Sequence, residues 1–288
     1  MRVVGEDDNQ AHYFDKPAGV LIDAARKRLI VCDDFNRSVV CLHLAEPSRA
    51  PVWEYAYGSP DRKGCGVLNP YCSALSPDGA MLYVVDRNAC RVVTLRADMG
   101  EFEYAFGSQG RALGQLLCPL DIAVSADGSV WVAECNNDRV SVFDASARPW
   151  VLLATIDRVG GGGEFGCPCG LTMSRDGRLA YIAASSNIHV FDAVTRAHVR
   201  TFAGDSSEPR DDSFGDPYAM CVLGDELYVC DQMNARVGVM DAATGEWRGA
   251  LGHGRLGSNL QGVCANAATG EIYVADSDSH RLLVFAAL

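Results

Sequence analysis

A short sequence phrase returns six times along this chain, and the repetition constrains the fold more than any other feature. Three clear copies are WVAECNNDRVSVF (131–143), YVCDQMNARVGVM (228–240) and YVADSDSHRLLVF (273–285). The acidic position of the phrase serves as a marker, and successive markers lie 45 to 53 residues apart, at Asp33, Asp86, Glu134, Ala184, Asp231 and Asp276. This period is typical of a propeller blade built from four strands.

Each copy carries signals for four short antiparallel strands. An apolar run entered through proline, such as CPLDIAVS (118–125), precedes the phrase, and a run such as EFEYAFG (101–107) follows it. Between apolar runs, three copies contain the dipeptide Asp-Gly, at Asp78-Gly79, Asp127-Gly128 and Asp176-Gly177. Asp-Gly predicts a tight hairpin, which we expect to be a type I′ turn. The absence of helical periodicity completes the prediction of an all-β, six-bladed β-propeller with four antiparallel strands per blade.

The two ends of the chain predict how the ring closes. The last copy stops at Leu288, just after its third strand, so its blade lacks a fourth. Near the start, VGEDDNQAHYFDKP (4–17) has the same spacing as FGSQGRALGQLLCP (106–119), which joins two blades. We therefore expect residues 1–5 to supply the outer strand of blade 6, which removes exposed sheet edges. On this interpretation residues 1–288 form a single domain.

Composition bears on partners and compartment. The net charge of −12 opposes binding to a polyanion, so a nucleic acid is an unlikely partner. No apolar stretch reaches the length of a membrane span, and the start MRVVGEDDNQ lacks the apolar region of a secretory signal. Most of the 12 cysteines sit in apolar, strand-like runs rather than in a disulfide framework. We expect a cytoplasmic chain with reduced thiols and no membrane insertion.

The stretch from Phe106 to Phe143 resembles an NHL repeat. It contains, in order, Phe-Gly, a glycine-containing loop, proline, an Ile-Ala-Val strand, Asp-Gly, a Val-Ala-acidic triplet and Arg-Val after the loop asparagines. The resemblance is strong in blades 2, 3, 5 and 6, fair in blade 1 and weak in blade 4. It implies a six-bladed propeller, but no single activity, because one fold supports many functions.

The polar loop of the phrase follows the pattern Asp-x-x-Asn-x-Arg, as in Asp231, Asn234 and Arg236. A catalytic site would be needed once, whereas this pattern returns in most blades, which favours a structural role. Asparagine tolerates left-handed turn geometry, and a carboxylate can hold the arginine by a charge-assisted bond. Blade 4 has a shorter loop without the acid or the arginine, which indicates either drift or a notch for a partner.

Propellers bind at the ends of their central channel, and one face carries the loops that enter the first strands and those between second and third strands. On this face we expect Phe35, Tyr71, Arg87, Asp121, Asn136, Cys169, Tyr218 and Met233. Aromatic, methionine and arginine side chains suit protein or peptide contact, although Tyr71 and Tyr218 could instead cover the channel mouth. We predict a non-catalytic protein-interaction scaffold without a cofactor.

Two other functions stay open. A propeller hydrolase or lyase would need a metal, but the Pro-Asn-Gly of gluconolactonase-type lactonases is Pro168-Cys169-Gly170 here, and their Glu-Gly-Pro is Asp15-Lys16-Pro17. Amidating lyases need several zinc-binding histidines, and the six histidines of this chain show no ligand spacing. RNA binding, known for some NHL propellers, would require a basic face, where Arg37 and Arg87 are the free cations.

Four thiols form a separate hypothesis. Cys118 and Cys167 occupy equivalent positions in adjacent blades, and Cys135 and Cys169 are expected on the same face. Such a group could bind zinc or act as a redox patch. Its spacing matches no zinc finger, so we predict no metal site and keep the thiol cluster as a minor alternative.

Overall fold

The computed structural model describes residues 1–4, 13–44, 69–160, 162–204 and 213–288 with their side chains, and residues 52–57 as backbone. These residues form six antiparallel sheets of four strands each. The first three blades use strands β2 (Pro17–Asp23), β3 (Arg28–Asp33), β4 (Ser38–His43), β5 (Val52–Tyr57), β6 (Pro70–Leu75), β7 (Met81–Asp86), β8 (Arg91–Arg96), β9 (Phe102–Phe106), β10 (Pro119–Val124), β11 (Ser129–Glu134), β12 (Arg139–Asp144) and β13 (Val151–Ile156).

The other three blades follow the same order. Their strands are β14 (Pro168–Met173), β15 (Leu179–Ala184), β16 (Asn187–Asp192), β17 (His198–Ala203), β18 (Pro217–Leu223), β19 (Glu226–Asp231), β20 (Arg236–Asp241), β21 (Trp247–Leu251), β22 (Leu260–Asn266), β23 (Glu271–Asp276), β24 (Arg281–Ala286) and β1 (Arg2–Val4). The sequence-based prediction of a six-bladed propeller with four strands per blade is confirmed.

The N-terminal strand closes the ring. β1 pairs antiparallel with β24, so that Arg2 lies opposite Val284 and Val4 opposite Leu282. The Arg2 guanidinium reaches across β24 and lies 3.2 Å from the Glu271 carboxylate of β23. The innermost strands form a continuous circle, because β22 of blade 6 packs against both β18 of blade 5 and β2 of blade 1. The predicted closure of blade 6 by the first residues is therefore confirmed.

The burial pattern explains why these sequences form blades. Each middle strand lies between two neighbouring blades, so all six residues of β11 are buried, whereas β9 at the outer rim is partly exposed. Strands buried on both faces appear in sequence as nearly continuous apolar runs. Between blades 2 and 3, the rings of Phe106 and Trp150 stack with centroids 5.2 Å apart, and Tyr83 meets Trp150 edge-on at 5.1 Å.

The innermost strands approach so closely that two positions require glycine. A Cβ at Gly170 would lie 1.8 Å from the carbonyl oxygen of Tyr218, and one at Gly262 would lie 2.2 Å from that of Ala18. Both contacts are with backbone atoms of the next blade, which cannot move aside without disturbing the ring. These glycines set how tightly the six inner strands surround the central channel.

The predicted Asp-Gly hairpins are present, but their turn type differs from the prediction. Only the glycine of each pair has a positive φ, 67° at Gly79, while Asp78 does not adopt one. The Asp78 carboxylate instead accepts hydrogen bonds from the Ser76 hydroxyl at 2.5 Å and the Ala80 amide at 2.9 Å. The type I′ prediction was wrong because the aspartate stabilises the turn through its side chain rather than through a left-handed backbone.

The Asp-x-x-Asn-x-Arg loops contain buried ion pairs. Four blades carry one, Asp86–Arg91, Glu134–Arg139, Asp231–Arg236 and Asp276–Arg281, and all four carboxylates are buried. In blade 3, Arg139 also donates to the carbonyl oxygens of Ala112 and Gln115 in the preceding connector. The motif thus holds the polar loop of blade 3 against the preceding connector, in agreement with the predicted structural role. In blade 1 Ser38 stands at the arginine position, and in blade 4 a turn at 185–186 joins β15 to β16.

Helices contribute little to the described part of the chain. It contains two single-turn 3₁₀ segments, Cys135–Asn137 and Ser277–Ser279, each of which follows the second strand of a blade. None of the described helical segments is long and apolar enough to cross a lipid bilayer.

Candidate functional site

We define the mouth face as the end of the ring where the connectors enter the innermost strands and where the second and third strands of each blade join. The structure exposes three of the predicted residues there, among them Phe35 at 57% and Met233 at 44%. Tyr13 and Leu113, both in connectors on this face, are exposed as well. Asn136 is also exposed, in the 3₁₀ turn of blade 3.

Two tyrosines close the channel beneath this face. Tyr71 is the second residue of β6 in blade 2, and Tyr218 is the second residue of β18 in blade 5, so they come from opposite sides of the ring. Their hydroxyl oxygens are 2.5 Å apart. Burial raises the pKa of Tyr71 to about 12 and that of Tyr218 well above its usual value, so both hydroxyls stay protonated. We call this pair the tyrosine lid.

Arg87 belongs to the lid rather than to a free basic surface. Its guanidinium carbon lies 4.3 Å from the centre of the Tyr71 ring, and its Nε donates to Asn69 Oδ1 at 3.0 Å. It also lies 3.5 Å from the buried Asp34 carboxylate, which accepts a hydrogen bond from Asn69 as well. Burial raises the pKa of Asp34, while Arg87 opposes that shift. The expectation of a free Arg87 was wrong, because Asn69 in the connector of its own blade and Asp34 in the polar loop of blade 1 are its partners.

Asp121 lies below the lid instead of on the mouth face. Its carboxylate accepts hydrogen bonds from the amide of Ile122 at 2.8 Å and from that of Leu171, in blade 4, at 2.7 Å. Burial raises its pKa to about 6, and the Cys72 thiol and both amides oppose that shift by hydrogen bonding. The same residue thus links the inner strands of blades 2, 3 and 4.

The central channel beneath the lid contains a cavity of about 340 Å³, lined by the innermost strands of all six blades. Its wall is mainly apolar and includes the polar side chains of Thr172 and Gln261. Within the described residues, the Gln261 Oε1 atom has no hydrogen-bond partner, and no three His, Cys, Asp or Glu side chains converge as a metal ion requires. The lining suits a small neutral molecule better than a cation.

The four predicted thiols do not form one cluster. Cys135 and Cys167 are joined by a disulfide, so the expectation that the chain carries only reduced thiols was wrong. Cys169 is buried, with its sulfur 3.5 Å from the carbonyl oxygens of Ala183 and Pro217. Cys118 is half-buried and its thiol is free. Two of the four proposed zinc ligands are therefore consumed by the disulfide.

Sequence reasoning missed several residues of the mouth face. Lys16 places its ammonium group 4.9 Å from the centre of the exposed Phe35 ring and 3.6 Å from the Asp278 carboxylate. Asp15 lies 3.0 Å from His280 at the junction of blades 6 and 1. The repeat could have indicated Lys16, because this residue immediately precedes the proline that begins an inner strand. Asn69 holds the same position in blade 2.

Comparisons with known proteins agree with this architecture. A family model described as "NHL repeat" matches residues 116–143 and 258–285. No curated protein sequence matches this chain significantly. Solved structures do: a gluconolactonase from Xanthomonas campestris shares 17% identity, with a TM-score of 0.68 over 94% of this chain and 86% of that chain.

Two further solved structures resemble the ring. Hydrazine synthase from Kuenenia stuttgartiensis shares 15% identity, with a TM-score of 0.66 over 98% of this chain and 99% of that chain. A chain of a nidogen/laminin complex shares 18% identity, with a TM-score of 0.65 over 91% of this chain and 85% of that chain. At these identities the likeness concerns the fold alone. The six blades and the family match thus show a six-bladed β-propeller that contains NHL repeats at residues 116–143 and 258–285.

Proposed function

We propose that this chain is a non-catalytic interaction module that binds a protein or peptide partner on its mouth face. The observation that carries the proposal is the tyrosine lid, in which two hydroxyl groups from opposite blades meet across the channel. A partner would meet Arg87, which packs on the buried Tyr71 ring, with Phe35 and Met233 projecting at the side.

The chemistry of that surface fits a protein partner. Exposed large apolar side chains on the connectors and loops serve as anchors, since aromatic residues, methionine and arginine are enriched where proteins meet. Arg87 is held over Tyr71 and hydrogen-bonded to Asn69, so it loses little conformational freedom when a partner binds. Preorganised anchors of this kind favour binding to a partner of complementary shape.

The alternatives have weaker support. A metal-dependent hydrolase or lyase would use an open channel with convergent carboxylates or histidines, whereas the lid covers the mouth and Asp121 is already hydrogen-bonded to two amides. RNA binding would need cations available to phosphate, and Arg87 is engaged with Asp34 and Asn69. The solved structures that resemble this ring include enzymes and a protein complex, so the fold does not discriminate between these functions.

Affinity capture from an extract of the native cell tests the proposal. The double variant Phe35→Ser, Met233→Ser removes two exposed anchors of the mouth face. The matched control, Met99→Ser with Val194→Ser, removes two equally exposed side chains from hairpins on the opposite face. We expect the mouth-face variant to lose the captured protein and the control to retain it. Retention by the mouth-face variant together with loss in the control would contradict the proposal.

A further inference from the structure

Three cysteines meet on the mouth face where blade 3 adjoins blade 4. Cys118 and Cys167 hold the same place in consecutive blades: each immediately precedes the proline that begins the inner strand, and each has a φ of 49°. Cys135 is the first residue after β11, at the start of a 3₁₀ turn. It therefore has one cysteine beside it in its own blade and an equivalent cysteine in the next.

Both neighbours are within reach of Cys135. The disulfide joins Cys135 to Cys167. On the other side, the amide nitrogen of Cys135 donates to the carbonyl oxygen of Cys118 at 3.2 Å. Pro119 is paired with Glu134 at the end of the β10–β11 ladder, and Cys118 and Cys135 are the next residues beyond that pair. The amide–carbonyl hydrogen bond keeps their backbones next to each other, and a disulfide requires Cα atoms about 4.4–6.8 Å apart.

We propose that Cys118, Cys135 and Cys167 form an intramolecular thiol–disulfide exchange site, in which the bridge moves between Cys135–Cys167 and Cys118–Cys135. The thiolate of Cys118 attacks Sγ of Cys135, and a new sulfur–sulfur bond forms as the bond to Cys167 breaks. Cys167 leaves as a thiolate and takes up the proton that Cys118 released. One disulfide and one thiol are present before and after, so the step needs no oxidant or reductant.

Accessibility distinguishes these three residues from the other described cysteines. Cys167 is exposed, and Cys118 and Cys135 are half-buried. The free thiols elsewhere are buried, apart from the half-buried Cys72 in the wall of the channel. Burial raises the pKa of Cys118, with Arg87 opposing the shift. The exchange therefore proceeds through a minor thiolate population at neutral pH and accelerates in alkaline solution.

The move changes what the disulfide holds together. In the first state it ties the polar loop of blade 3 to the connector that enters blade 4, where the amide of Cys167 also donates to the Asp138 carboxylate at 2.8 Å. In the second state the tie lies within blade 3. The connector, which contains Gly162 and Gly166 with positive φ, then keeps its hydrogen bonds and the packing of the buried Phe165 ring against Phe191. The site thus alters the mouth face next to Asn136 whether or not a partner binds there.

Disulfide mapping by mass spectrometry tests this proposal on the full chain. Protein prepared at pH 6 would be transferred to pH 7, 8 or 9 without reductant, quenched in acid with a thiol-alkylating reagent, and digested. We expect the initial rate at which the Cys118–Cys135 peptide appears to rise about tenfold per pH unit, as the thiolate fraction does below its pKa. The Cys118→Ser variant should show only the Cys135–Cys167 bridge at each pH.

The Cys167→Ser variant supplies an independent measurement. Treated with oxidised glutathione, it should form the Cys118–Cys135 bridge, whereas a Cys72→Ser control should behave as the wild type does. Thermal unfolding of each variant shows whether the ring has folded. The proposal is overturned if the wild type yields only the Cys135–Cys167 peptide after incubation at pH 9, or if it contains no Cys135–Cys167 bridge at pH 6.

Discussion

The ion pair of blade 5 offers the sharpest test of the structural role assigned to the repeated loop. Arg236 is 1% exposed, and its Nε lies 3.3 Å from the fully buried carboxylate of Asp231. The guanidinium also stacks 4.7 Å above the ring of Trp247. Arg236→Met keeps most of the packing but leaves the Asp231 carboxylate buried without its cation. Removing one partner of a buried pair costs about 3–5 kcal/mol of unfolding free energy.

The same change in blade 6 serves as the matched control. Arg281 pairs with Asp276 in the same motif, but its side chain is 25% exposed, so water can replace part of the lost interaction. We expect Arg281→Met to cost less, about 1–3 kcal/mol. Urea unfolding followed by tryptophan fluorescence, with linear extrapolation to water, measures both. The double variant Asp231→Asn, Arg236→Met should lose less unfolding free energy than the two single variants lose together.

A loss below about 1 kcal/mol for Arg236→Met, within the range of an ordinary surface pair, would refute this reasoning. Equal losses for Arg236→Met and Arg281→Met would also contradict this prediction, because the two guanidinium groups differ in burial.

Three further predictions follow from particular contacts. Burial raises the pKa of Asp33 from 3.8 to about 7, so between these pH values the folded chain binds a proton that the unfolded chain does not, and the stability falls as pH rises. Asp33→Asn should make the urea midpoint less dependent on pH in this range, and an unchanged pH dependence would contradict the prediction. Tyr71→Phe leaves the Tyr218 hydroxyl without its hydrogen-bond partner and should lower the free energy of unfolding by about 1–3 kcal/mol. The double variant Tyr71→Phe, Tyr218→Phe should be more stable than either single variant, and a double variant less stable than both would contradict the hydrogen bond of the tyrosine lid. Deleting Arg2–Val4 exposes the edge of β24 and should lower the urea midpoint and increase self-association, measured by light scattering. A monomer with an unchanged urea midpoint would contradict this prediction.

The repeat made most of the fold predictable from sequence. A period of 45 to 53 residues defined six blades, and the spacing from Val4 to Pro17 indicated that the first strand completes the last blade. Both are properties of local pattern, and the pairing of Arg2 with Val284 bears them out. The acid–arginine pairing inside the four loops that contain both residues was predictable for the same reason, because the two residues lie five positions apart in one hairpin.

The site was less accessible to sequence reasoning, because its contacts depend on the closed ring. Tyr71 and Tyr218 were both expected at the mouth, but that their hydroxyls meet depends on the radius set by the inner strands. Arg87 acquires Asn69 from its own connector, and Asp34 from the neighbouring blade. The bond between Cys135 and Cys167 depends on a left-handed residue before a proline, which no propensity of cysteine predicts.

Hydrogen–deuterium exchange on the complex with the captured partner locates the bound surface without any substitution. We predict slower exchange in the mouth-face loops 34–37, 87–90 and 232–235 than in the free chain, and unchanged exchange in the Asp-Gly hairpins 77–79, 127–128 and 176–177. Protection confined to those hairpins, with the mouth-face loops exchanging as in the free chain, would contradict it.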